Sequence, residues 1–508
     1  EGTDGSRVLA VVPPAHFIGM VDPDHLDFHW SNFSDKETIG ESLYTFGWGD
    51  GGAGVDHEML ECAFRYRDFP GLVKTRFSSA EEALDRIKAK ALKAEMPVMR
   101  DELYLEAHRG TYTNKGRLKK LNRRAEFLYR EAEAASALAW LGGAPYPQAR
   151  FDEGWKRLLT LQFHDSLPGT HITEVHGELL KEYDQVLAIG EQLRRRGLAA
   201  LAAGAPSRKR GLLIFNSLLH PRSGLCRIPL RALGRARLAD PDGRPLRQQR
   251  IKGLDGTEEV LVDLPDVPGV GYRVLPLASR GARNVSDDGP SCIARSRRGS
   301  LVLENDALSA TFNLRGELVS LRDDEHGREV LVAGAAGNRF QLFEDTPGPY
   351  DAWDIIESYR QHELDISGGT KLTVEESGPL RASLRLTKSF RNSRLEQRIS
   401  LFAGQRVLLF ETMVDWKERQ KLLKVAFPVE INTRRATYDI AFGSIERANH
   451  RNTSYDAARF EVPANLWMDM SQGDYGVSLL NDCKYGHEAQ DRLMRLTLLK
   501  GSIYPDAA

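Results

Sequence analysis

The 508 residues carry 70 basic and 71 acidic side chains, a net charge of −1. That balance argues against a general nucleic-acid or anionic-surface binder, and the length predicts about two to four domains. No run of about 18 apolar residues marks a membrane span, and no charged-then-apolar leader opens the chain. Four scattered cysteines at positions 62, 226, 292 and 483 show no CxxC spacing. They exclude a cysteine-zinc site and predict free thiols in a reducing, cytoplasmic compartment.

Taken in order, residues 6–12 predict a strand, Glu41–Phe46 another, and Leu72–Phe77 a third. Asp56 predicts a cap for a helix through Phe64, and Ser78 or Ser79 a cap for a charged helix from Glu81 to Lys93. Residues 1–98 thus predict the tail of an α/β unit. Leu118, Leu121, Ala125, Leu128, Ala132 and Ala135 form one face of a long helix, ended by Gly142-Gly143. A second helix carries Trp155, Leu158, Leu159 and Phe163 and is expected to finish at His164-Asp165. A third starts near Thr173. Short links predict an antiparallel three-helix bundle over residues 99–203.

Ala199–Lys209 reads as a linker, with the basic cluster Ser207-Arg-Lys-Arg210 as a solvated part of it. From Gly211 onward, short alternating runs are punctuated by Asn305-Asp306 and Arg315-Gly316, which predict hairpins. Residues 211–508 therefore predict antiparallel β-sandwich. The whole reads as a multidomain α+β protein.

Several constellations could carry chemistry. In Gln162-Phe-His-Asp-Ser-Leu-Pro-Gly-Thr170 a histidine and an aspartate adjoin at a helix end, stopped by Pro168 and Gly169. A buried polar pair there is costly unless it binds something. His164 is the candidate metal ligand and Asp165 the candidate substrate contact; the bland reading is a backbone-bonded histidine and a capping aspartate. Gly47-x-Gly49-x-x-Gly52 spells a dinucleotide fingerprint. Trp48 and Asp50 sit badly beside a pyrophosphate, so a loop presenting Asp50 to a ligand is the better reading. His25, Asp27 and His29 alternate as a metal trio would if extended, but their polar flanks suggest a solvated loop or short helix. Glu102–Thr113 alternates like a strand and ends in a polar cluster.

Together these motifs resemble glycoside hydrolase family 38 α-mannosidases, in its bacterial and cytosolic branch. The segment 162–170 resembles the one supplying the family's C-terminal metal ligand, and Phe46–Gly54 its glycine-rich loop. Glu102–Thr113 is similar to its Glu-Leu-Tyr-Leu-Glu-x-His-Arg-Gly-Thr-Tyr-Thr motif, and Glu1–Ser6 to a segment late in the catalytic domain. Phe442–Arg447, His450–Ser454, Gly473–Val477 and Asn481–Tyr485 resemble its C-terminal β region.

The resemblance implies retaining hydrolysis of terminal α-linked mannose from oligosaccharides, with a divalent metal, zinc or alternatively cobalt. It places His164 as a metal ligand and Asp165 as a sugar contact, with Asp50 at or beside the acid/base position. It also implies that the nucleophile and the early His-x-Asp ligands lie upstream of Glu1. His25-x-Asp27 is then a decoy, and this chain alone is expected to be inactive. Val11, Gly54-Val55 and Ala448-Asn449 depart from the family's usual letters. The rival expectations are a carbohydrate-binding or scaffold subunit that completes a site with another chain, and an unrelated metal hydrolase using His25, Asp27, His29 and His164. A homo-oligomer is compatible with either family reading; nucleic acid and membrane are not expected partners.

Overall fold

The structure, a computed structural model, describes residues 1–2, 4–14, 19–100, 102–205, 211–278 and 289–506. The basic cluster Ser207–Arg210 lies outside the described residues. Two compact units divide the chain at Tyr104 and Leu105.

The first unit is helical in its regular parts: Pro23–Asn32, His57–Arg65 and Ala80–Ala91. Asp56 caps the second of these by accepting from Met59 N at 2.8 Å, and Ser79 caps the third by accepting from Glu82 N at 3.2 Å. Phe33, Ile39, Ile87 and Ala91 form one small core and Val21, Leu26 and Ala63 another. The strands expected at residues 6–12, 41–46 and 72–77 do not form ladders among the described residues; a lone bridge joins Gly19 to Gly47. A strand exists only by pairing, and these segments have no ladder partner among the described residues. His25, Asp27 and His29 fall on a helix, so their spacing of two scatters them around it rather than sharing a face.

The second unit begins with three helices, Gly116–Leu141, Gln148–Leu161 and Thr173–Gly204. Leu118, Leu128, Tyr129, Phe151, Leu158, Tyr183 and Val186 make their common core. The pairs Asn122–Tyr183, Leu128–Gly190 and Ser136–Gly197 climb together, so the first and third helices run parallel. The second runs against them, with Trp155 donating to Glu133 and Gln162 to Asn122. The third helix continues through Ala199–Gly204, where a linker was expected, because alanine-rich sequence favours helix over coil.

Beyond the helices every named ladder is antiparallel. A five-stranded sheet over residues 292–329 faces a four-stranded one over 370–415, burying Leu303, Phe312, Leu384, Leu386 and Ile399 between them. Asn305 shapes its hairpin by accepting from Ala307 N at 2.9 Å and Leu308 N at 2.7 Å. A six-stranded sheet built from residues 339–500 follows, with a four-stranded one over 435–480.

Residues 106–112 are a 3-10 turn rather than the expected strand end. It docks the bundle onto the β region. Gly110 N donates to Trp353 O at 2.8 Å, and a Cβ on Gly110 would lie 2.9 Å from the Asp354 backbone. Arg109, buried, donates to Ala458 O at 2.9 Å and lies 4.4 Å from the Phe460 ring centroid.

Candidate functional site

The second bundle helix stops at Leu161, three residues short of His164, and not at Pro168-Gly169 as expected. Its end tightens: Gln162 N and Phe163 N donate to Leu159 O and Thr160 O, each three residues back. The Gln162 amide turns away to Asn122 at 3.0 Å and Glu126 at 3.2 Å. From there to Thr170 the chain runs as successive turns.

His164 projects into solvent, its side chain 78 % exposed, with Nε2 at 3.5 Å from Asp165 Oδ2. Its ring centroid lies 4.2 Å from that of exposed Phe163. The expectation of a buried polar pair is therefore corrected: no desolvation penalty demands a ligand here. Asp165 is more constrained. Its Oδ1 accepts from Thr170 Oγ1 at 2.7 Å, and its carbonyl accepts from His171 Nδ1 at 2.8 Å.

Because a carbonyl only accepts, His171 carries its proton on Nδ1. Its bare Nε2 then accepts from His176 Nδ1 at 3.3 Å, and the two rings stack with centroids 5.5 Å apart. Both imidazoles are held neutral. Burial lowers His176 to about 4, with Lys115 and His171 adding to it, and burial also lowers His171.

The underside of the loop is fixed by residues some fifty positions upstream. Asn114 Nδ2 donates to Gly169 O at 2.5 Å, and Asn114 Oδ1 accepts from Ser502 Oγ at 2.6 Å. Gly169 adopts φ +84°, and a Cβ there would stand 2.6 Å from Lys115 Cγ. Lys119, fully buried, donates to carbonyls at the loop's far end. Asn114, Lys119, His171 and His176 escaped the sequence reading. The available signal was a pair of polar residues, Lys119 and Asn122, set among the apolar positions 118, 125 and 128 of a core-facing helix.

Asp50 stands in the first unit, exposed on a short 3-10 turn, Gly49–Gly51, while Trp48 Nε1 donates to Asp56 at 3.0 Å. His25 pairs with Asp22 at 2.8 Å, and buried His29 contacts Ser42 at 2.8 Å. Each histidine is thus engaged locally. Among the described residues no group of three or more His, Cys, Asp or Glu side chains is arranged to hold a metal ion. A single exposed imidazole fits one ligand of a set, not a complete metal site. A cavity of about 600 Å³ lined by Leu230, Arg237, Arg247, Val260 and Leu380 includes none of these residues.

Comparison with known proteins supports one lineage. Residues 106–201 match the alpha mannosidase middle domain, and residues 303–508 the glycosyl hydrolases family 38 C-terminal domain. The chain is 35 % identical over 513 residues to human alpha-mannosidase 2C1, covering all of this chain and 46 % of that protein. It is 30 % identical to Dictyostelium discoideum alpha-mannosidase G, covering 49 % of it. The chain therefore spans about half the length of the curated relatives it matches. In fold it is similar to a family 38 glycosyl hydrolase and an alpha-mannosidase, both from Enterococcus faecalis. These give TM-scores of 0.66 and 0.68 at 17 % and 16 % identity, over 88 % and 89 % of this chain and 59 % of each of theirs. The middle domain, the C-terminal domain and the end-to-end similarity place this chain in glycosyl hydrolase family 38.

Proposed function

We propose that this chain is part of a metal-dependent retaining α-mannosidase that releases terminal α-linked mannose from oligosaccharides. The observation that carries the reading is the 162–171 loop, which presents an imidazole and a carboxylate side by side on a firmly tied backbone. His164 is free to give a lone pair to a divalent cation, zinc or cobalt. Such a cation, when bound, supplies positive charge that grips and polarises vicinal sugar hydroxyls. Asp165 spends Oδ1 on Thr170 and keeps Oδ2 for a hydroxyl of the sugar. Asp50 is assigned as the acid/base or as a second sugar contact.

Retention needs two carboxyl groups about 5 Å apart, one acting as nucleophile. Neither that nucleophile nor the other metal ligands are assigned within these 508 residues, so the chain by itself is expected to be inactive. The four free cysteines suit a reducing compartment, which supports a cytoplasmic setting.

The test is made on the full-length protein with an aryl α-mannoside and a metal assay. His164→Ala is expected to lose bound metal and activity together; retention of both would sink the assignment. A second reading, a carbohydrate-binding or scaffold subunit that completes a site with another chain, rests on His164 being a single exposed imidazole beside a carboxylate. Full-length protein that binds mannose yet turns over no α-mannoside would favour it.

A further inference from the structure

Lys119 lies on the first bundle helix, 4 % exposed. Its Nζ donates to three carbonyl oxygens: Asn114 at 2.6 Å, Leu167 at 3.0 Å and Pro168 at 3.1 Å. An ammonium has three N–H donors, so the cradle uses all of them, and among the described residues no carboxylate is bonded to it. Burying a cation without a counter-ion is costly, and a methionine of similar length would fill the same space without that cost. The ammonium does what a hydrocarbon cannot. It draws two separate backbone segments, at Asn114 and at Leu167-Pro168, onto one point, where their carbonyl dipoles would otherwise repel.

We propose that Lys119 is a positioning residue for His164 and Asp165: its ammonium, by gathering the three carbonyls, fixes where the 162–171 loop stands. Its activity arm rests on the function proposed above; its structural arm does not. Three further ties agree with a single clamp. Asn114 holds Gly169, Gly169 closes onto Lys115, and His171 holds the Asp165 carbonyl. Among the described residues the charged or titratable groups facing this region are Lys484 from the β region, Lys115, Arg117, the loop's own Asp165, and the neutral His171 and His176. The Asp165 carboxylate is engaged by Thr170 and is not a hydrogen-bond partner of Lys119, whose partners among the described residues are all backbone oxygens. Burial first, and Lys484 second, oppose the ammonium's charge and bring Lys119 down to about 7, so the three-donor ammonium is the dominant form below about pH 7.

The experiment compares full-length wild type with Lys119→Met by amide hydrogen exchange. The amides of residues 164–171 are expected to exchange at least about 10-fold faster in the variant, while those of residues 186–193 keep their protection. In Lys119→Ala, added n-propylammonium is expected to restore loop protection and n-butanol is not. In the activity arm kcat is expected to fall about 100-fold in Lys119→Met, as a displaced constellation would produce. Unchanged loop exchange, equal loss of protection throughout the bundle, or equal rescue by the alcohol would each overturn the proposal. Should Lys119→Met not fold, Lys119→Arg carries the same test: the retained charge should keep loop protection, and its loss refutes the clamp. A wild type without mannosidase activity but with a lysine-dependent loop refutes the proposed function alone.

Discussion

Gly169 shows how a letter legible in the sequence hides its reason. Pro168-Gly169 reads as a turn on composition, and the positive φ agrees. The need for glycine comes also from Lys115, whose Cγ occupies the space of a side chain, a contact made across more than fifty residues. Gly169→Ala is expected to cost about 1–3 kcal/mol through strain and crowding, read from urea unfolding. His164 and Asp165 were found by their letters and their neighbours in order. Their exposure was not, because nothing in a local pattern tells a ligand awaiting a partner from a histidine in a core. His171 and His176 went unnoticed since each is an ordinary helix-entry residue until the fold stacks them.

At the scale of elements, the long helices were the most legible part. Apolar residues at three- and four-residue steps over 116–141 leave one face to bury, and Leu118, Ala125 and Ala132 are wholly buried. Leu158, equally buried on the second helix, is expected to cost about 2–5 kcal/mol when replaced by alanine, measured as a fall in unfolding free energy. Short links made the up-down-up order legible, and with it the parallel run of the first and third helices; how closely those two pack was not. It depends on Gly190 and Gly197, where a Cβ would lie 2.8 Å from Leu128 and 3.0 Å from the Ser136 backbone. In sequence those glycines only weaken a helix; in the bundle they let two backbones approach. The strands expected in the first unit failed for the complementary reason: alternation records a preference for extension, and pairing needs a partner.

Across the whole molecule, charges buried in the β region do what apolar contacts do elsewhere. Lys424 is fully buried, paired with Glu461 and lying 3.4 Å from Glu488, which Arg360 and Arg495 also hold. Burial opposes its charge, yet Glu461, Tyr359 and Glu488 keep it protonated. Lys424→Met is expected to destabilise by about 3–5 kcal/mol, because two buried carboxylates lose their common cation; thermal unfolding reads it. Acid acts first through the buried histidines, before the carboxylate range is reached.

His487 is fully buried, with Nδ1 donating to Tyr485 O at 3.1 Å and Nε2 accepting from Asn481 at 3.2 Å. Burial lowers it to about 4, as for His176. Unfolded histidines titrate near 6.5, so below that pH the unfolded state takes up protons the folded state refuses. Their contribution is complete above about pH 6.5 and is lost as pH falls toward 4. Tm should drop over that window, less so in a His487→Gln variant.

By itself the sequence determined the kinds of structure: helices from their periodicity, hairpins from Asn305 and Gly316, and a family resemblance from ordered motifs around His164. These are properties of residues close along the chain, where backbone preference and side-chain spacing act alone. Tertiary structure decided what those residues meet. It placed Lys119 beneath the loop, Asn114 against Gly169, and Gly169 against Lys115, because each contact joins segments some fifty residues apart that only the packed bundle brings together.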